Sequence, residues 1–118
     1  MNEDGLYVCL DYDEVAPKKV IREALALREM FQVPLSIYKT SQGCFHIRFK
    51  KKLPRDTAFE VLDYSTCSED YKAYCREVGR FPYRTTAKVI RNSKGRVIKR
   101  HGPPQLVCNL SEWNGSEV

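Results

Sequence analysis

Residues 6–13 alternate as a strand would. Leu6, Val8, Leu10 and Tyr12 share one face, and Tyr7, Cys9, Asp11 and Asp13 share the other, because successive side chains of a strand point to opposite sides. The period then changes: over 17–31, Val20, Ile21, Ala24, Leu25, Leu27 and Phe31 recur at helical spacing behind Pro17, a residue suited to a first helical turn. Val33-Pro34 is expected to stop this helix, since proline disfavours helical backbone in the residue before it. A second strand, 35–39, leads through Thr40-Ser41-Gln42-Gly43 into a third, 44–49, where Phe45, Ile47 and Phe49 alternate with Cys44, His46 and Arg48. Helices are expected over 54–63, with Ala58, Phe59, Val61 and Leu62 inward, and from a Ser68 cap to Val78, with Gly79 as terminator. Residues 85–90 and 96–100, joined by Asn92-Ser93-Lys94-Gly95, read as a hairpin, 105–110 as a short last strand, and 111–118 as a tail in which Trp113 alone is apolar enough to dock.

This order predicts an α+β fold: a ferredoxin-like or RRM-like β-α-β-β-α-β core, a mixed sheet with the first two strands parallel through a helical crossover, helices on one face, and a basic C-terminal β-hairpin. A chain of 118 residues suits one domain with one core. Within it, 6–49 is a motif-bearing unit, 54–79 a helical segment, 84–101 the basic hairpin and 111–118 the tail.

Charge changes the picture more than composition does. Of a net +5, the first sixteen residues hold five acids and no base, whereas 78–111 holds eight Lys and Arg and no acid. Such asymmetry suits a polyanionic partner for the C-terminal half, and equally a solvated basic hairpin. Lys88, Arg91, Lys94, Arg96, Lys99 and Arg100 are the candidate nucleic-acid contacts, and with few aromatics among them they suit phosphate better than base stacking. No apolar run approaches the roughly 18 residues of a membrane span, and the acidic start is unlike a signal peptide, so a cytoplasmic (intracellular) protein with no membrane contact is expected. Five cysteines without a Cys-x-x-Cys pair argue against a zinc ribbon or a secreted disulfide framework, with a Cys67–Cys75 bridge left open.

The candidate chemistry lies on the polar faces of the first and third strands. Asp11 and Asp13 project together from a strand end, a like-charge pair that a hard cation such as Mg²⁺ or Mn²⁺ would offset. The same pair also fits a helix cap beside a solvated strand end. His46 and Arg48 share one strand face, where a histidine can bind phosphate or metal or simply serve the structure.

In sequence these residues form an apolar strand ending in Asp11-x-Asp13, a helix, a strand, the turn with Ser41 and Gly43, and a strand bearing His46. That succession resembles the catalytic core of the archaeo-eukaryotic primase (primase-polymerase) superfamily, over residues 6–49. The resemblance implies that Asp11 and Asp13 hold divalent metal, that Ser41 and His46 contact a nucleoside triphosphate, and that the activity is nucleotidyl transfer in DNA replication. Arg48 is added as a nucleotide contact because it shares the face of His46. The family's third motif, a carboxylate on a later strand, has no match: 105–110 offers Asn109. The implied protein is therefore a minimal primase-like enzyme or one with an incomplete or degenerate site, acting with nucleic acid, nucleotides and a replication partner protein.

Two other readings fit the same elements. One is a non-catalytic ferredoxin-like nucleic-acid-binding module, a replication accessory or viral protein. The other is a nuclease, metal-dependent or of the rolling-circle type, for which the third strand would need His-x-His but reads His46-Ile47-Arg48, with Tyr71 and Tyr74 as helix-borne nucleophile candidates.

Overall fold

The computed structural model describes residues 5–83, 88–101 and 103–110, with 88 and 99–101 described by backbone alone. The first alternation becomes β1 (Cys9–Tyr12), preceded by a reciprocal bridge in which Leu6 and Leu53 exchange backbone bonds of 2.8 and 2.9 Å. α1 (Pro17–Phe31) carries Pro17 in its first turn and ends at Gln32, whose N–H still bonds the Arg28 carbonyl at 2.8 Å and whose left-handed backbone turns the following chain out of the helix. The stop therefore falls just before Val33-Pro34. β2 (Leu35–Ser41) and β3 (Cys44–Phe49) follow, then α2 (Arg55–Tyr64) and α3 (Glu69–Val78). Ser68 does occupy the position before α3, but its side chain makes no cap bond; Gly79, at φ +75°, closes the helix as expected. β4 (Lys88–Arg91), β5 (Val97–His101) and β6 (Gln105–Leu110) complete the described elements. Residues 84–87 of the expected hairpin and the tail 111–118 with Trp113 lie outside the described residues.

The sheet order is β1-β3-β2-β6, and every neighbouring pair is antiparallel. This corrects the mixed sheet. β1 and β2 do run in the same direction across the α1 crossover, but β3 returns from the turn at Gln42-Gly43 and inserts between them, so the parallel strands never meet. In a ferredoxin-like order the last strand would lie beside β1; here β6 lies beside β2. The outer edge of β1 is occupied otherwise: the Ser68 N–H bonds the Asp11 carbonyl at 2.9 Å, and the Tyr71 hydroxyl bonds the Cys9 carbonyl at 2.8 Å. An edge satisfied in this way offers no template for a further strand.

One face of the sheet forms the core. Val8, Leu10, Tyr12, Leu35, Ile37, Phe45, Ile47 and Phe49 are buried there in one cluster that includes Val20, Ala24 and Leu27 of α1 and Ala58, Val61 and Leu62 of α2. α1 is tied to this face by Glu23, which accepts from the Tyr12 hydroxyl and also from the backbone N–H (2.9 Å) and hydroxyl (2.8 Å) of Thr66. Among the described residues β4 and β5 pair only with each other, in antiparallel register from Lys88 opposite His101. Their turn is organised by Asn92, whose side-chain oxygen accepts from the N–H groups of Lys94 (2.9 Å) and Arg96 (3.0 Å), with Gly95 at φ +82°. Taken together, the described residues form a compact α+β fold with a four-stranded antiparallel sheet and three helices. No helix among them is long and apolar enough to cross a membrane.

Candidate functional site

The second face of the sheet is polar because the alternation that buries Leu10, Ile37 and Ile47 sends their neighbours the other way. Register places Asp11, His46 and Tyr38 side by side in one row across β1, β3 and β2, and Cys9, Arg48, Ser36 and Asn109 in the next row, which continues into β6. His46 Nε2 lies 3.3 Å from Asp11 Oδ1, with the histidine side chain 8% exposed and the aspartate 30%. The other ring nitrogen, Nδ1, is buried and has no hydrogen-bond partner.

Ser41 stands opposite Cys44, two positions before His46, where a register irregularity interrupts β2 between Lys39 and Ser41. Its hydroxyl oxygen is likewise buried and unpartnered. The turn beyond it packs against the end of β1: Gly43, at φ +77°, has its backbone beside Glu14, and its carbonyl accepts from the Val15 N–H at 2.9 Å. The fold thus brings the turn with Ser41 and Gly43 to the chain that follows Asp11. Asp13 lies one residue past the end of β1 and is exposed. No three His, Cys, Asp or Glu side chains are grouped to hold a metal ion among the described residues.

Arg48 extends from this row over two aromatic rings, with its guanidinium carbon 4.0 Å from the Tyr38 ring centre and 4.3 Å from that of Tyr83. Tyr83 reaches the sheet from the segment after α3, which Tyr71 anchors by placing its hydroxyl 3.0 Å from the Pro82 carbonyl as well as on that of Cys9. Tyr38 could have been found from the sequence, since it alternates with Ser36 and Thr40 opposite the core positions Leu35 and Ile37. Tyr83 carried no such signal; tertiary packing alone delivers it.

Asn109, where a third acid was sought, stands opposite Ser36, and its side-chain oxygen accepts from the Ser36 hydroxyl. Tyr71 is unsuited to be a nucleophile: burial, with Cys9 and Cys75 nearby, pushes its phenol far above the ordinary range, and its hydroxyl is engaged by two carbonyls. All five cysteines are free, so Cys67 and Cys75 are not bridged. Burial raises the Cys9 thiol against the pull of Arg48, and it raises Cys67 and Cys75 as well. Of the basic candidates, Arg91, Lys94 and Arg96 are exposed, with Arg91 donating to the Gly95 carbonyl at 3.0 Å. The side chains of Lys88, Lys99 and Arg100 lie outside the described residues. No family model, curated protein or solved structure matches the chain.

Proposed function

We propose that the chain is a small nucleotide- and nucleic-acid-binding protein with a primase-polymerase-like site, built from Asp11, Asp13, Ser41, His46 and Arg48. The observation that supports it most is the pair of buried polar atoms without partners, Ser41 Oγ and His46 Nδ1. Buried polar groups are nearly always paired, so an orphan on β3 beside Asp11 and a second on the adjoining β2 call for an explanation, and a ligand that completes them is one. Ser41 Oγ can donate to a phosphate oxygen, and His46 is steadied by Asp11 on its far nitrogen.

The donor chemistry suits Mg²⁺ or Mn²⁺. Such ions are commonly held by one or two carboxylates together with substrate phosphates rather than by a closed protein cage. Asp11 and Asp13 would be those carboxylates. When bound, the cation would neutralise phosphate charge and orient the attacking hydroxyl for nucleotidyl transfer. Exposed Lys94 and Arg96 on the β4–β5 turn would add phosphate contacts that hold a nucleic-acid strand during replication.

Calorimetry with a nucleoside triphosphate and Mn²⁺ tests this reading. The wild-type chain should bind both, and the Asp11→Ala, Asp13→Ala double variant should bind neither. A second reading, the non-catalytic nucleic-acid-binding module, takes the enclosed Asp11–His46 contact as a purely structural one. Undiminished strand binding by the double variant, with no metal binding by either protein, would select it.

A further inference from the structure

Beside the Asp11–His46 row the sheet carries a cleft of about 250 Å³, lined chiefly by Tyr7, Ser36, Tyr38, Arg48, Lys50 and Tyr83. We propose that this cleft seats one unpaired base and its adjoining phosphate from a single-stranded nucleic acid. The inference rests on the nucleic-acid part of the function proposed above but not on its metal.

Three features of the cleft select that ligand. Tyr7 and Tyr83 are 52% and 46% exposed, with Lys52 5.7 Å from the Tyr7 ring centre and Arg48 on one side of the Tyr83 ring, and part-exposed aromatic rings on a cationic groove are what unstacked bases lie on. Arg48, stacked over Tyr38 and Tyr83, and Lys50 supply the positive charge, and among the described residues no carboxylate lines the cleft. An uncharged aromatic ligand would make no use of that charge, and a bare phosphate would leave the rings unused. Size decides the unit. The volume falls below the roughly 300–1,000 Å³ of sites that enclose a whole drug-sized molecule, so it suits one base with its phosphate. A duplex keeps its bases stacked inside and cannot offer that face, which leaves a single strand.

The test uses fluorescence anisotropy of the full chain with a short labelled oligothymidylate or oligouridylate in EDTA, which removes any role for metal. Tyr7→Leu and Tyr83→Leu should each weaken binding about tenfold, the loss of one base–aromatic stack, and Tyr7→Phe and Tyr83→Phe should restore it. An abasic strand of equal length should bind about as weakly as the leucine variants. Leucine variants that bind like wild type, or an abasic strand or duplex that binds as tightly as the based single strand, would overturn the proposal. Circular dichroism checks folding. Should Tyr83→Leu fail to fold, the solvent-exposed Tyr7→Leu decides alone. Strand binding lost in Tyr7→Leu by a protein that takes up no metal–nucleotide would leave the cleft standing and the proposed metal site wrong. The reverse pattern would remove the cleft only.

Discussion

Asp11 and His46 face each other across the antiparallel pair β1 and β3, the carboxylate oxygen 3.3 Å from the imidazole Nε2. The histidine is almost wholly enclosed and its second nitrogen has no partner, so Asp11 is the contact that keeps this ring from being entirely unsatisfied. Asp11→Ala should therefore lower stability by about 1–3 kcal/mol, the cost of leaving a buried polar group unmade. Asp11→Asn, which keeps an acceptor oxygen, should cost less. Urea titration of the two variants checks this, and equal stabilities for wild type and Asp11→Ala would show that the contact contributes nothing. If a ligand completes Ser41 Oγ together with Nδ1, saturating nucleotide should raise the wild-type midpoint more than that of Ser41→Ala.

Tyr71 joins three parts of the chain with one hydroxyl: it stands on α3, bonds the Cys9 carbonyl on β1 and reaches the Pro82 carbonyl just before Tyr83. Tyr71→Phe keeps the ring and removes the hydroxyl. The variant should lose about 1–2 kcal/mol by chemical denaturation, because the single hydroxyl proton shared by the two carbonyls is gone. It should also loosen Tyr83 and so weaken strand binding in the cleft. No covalent tyrosyl–DNA adduct should form in wild type or variant, and an adduct mapped by mass spectrometry to Tyr71 or to the half-exposed Tyr74 would select the rolling-circle reading.

How much of this was legible beforehand depended on how local the cause was. Helix α1 and strands β3 and β6 lie where periodicity puts them, because a 3.6- or 2-residue repeat is written directly in side-chain order. The pairing of Asp11 with His46 also followed from face assignment, once β1 and β3 proved adjacent. Strand order did not follow. Nothing in the residues of β6 says whether it joins β1 or β2, and the choice is made by the β1 edge being taken by Ser68 and Tyr71, more than fifty positions along the chain from their partners Asp11 and Cys9. Tyr83 was missed for a similar reason. Its place over Arg48 is set by the Tyr71–Pro82 bond and by Phe81 packing on Phe59 with ring centres 5.1 Å apart, neither of which leaves a local pattern.

The buried thiols and phenols give the fold a one-sided pH dependence. Cys9, Cys67, Cys75, Tyr12 and Tyr71 all have pKa values raised in the folded state, chiefly by burial, so the fold holds their protons while the unfolded chain releases them above the ordinary thiol value of about 9. Their contribution is fully present below that pH and is lost as pH rises through and beyond it, since the unfolded state then binds fewer protons than the folded one. Each group can add up to about 1.4 kcal/mol of lost stability per pH unit. Unfolding free energy should therefore be level from these groups between about pH 6 and 8 and should decline from about pH 9 upward. Cys9→Ala should decline less steeply than wild type, whatever its stability at neutral pH. A wild-type curve that stays flat to pH 10 would contradict the burial of these groups.

Salt dependence separates the β4–β5 turn from the cleft. Lys94 and Arg96 are exposed on a turn held by Asn92, so they can meet phosphates without altering the fold, whereas Arg91 also closes the turn through the Gly95 carbonyl. On a single strand each phosphate neutralised contributes about 0.7 to the slope of log affinity against log salt. Lys94→Ala and Arg96→Ala should each reduce that slope by about this amount, with equal effect on every strand sequence. Tyr7→Leu, which removes a stacking surface and no charge, should weaken binding while leaving the slope as it was. Anisotropy titrations over a series of salt concentrations check both. An unchanged slope in the Lys94→Ala, Arg96→Ala double variant would mean that the β4–β5 turn is a solvated basic surface and that nucleic acid is held on the sheet face alone.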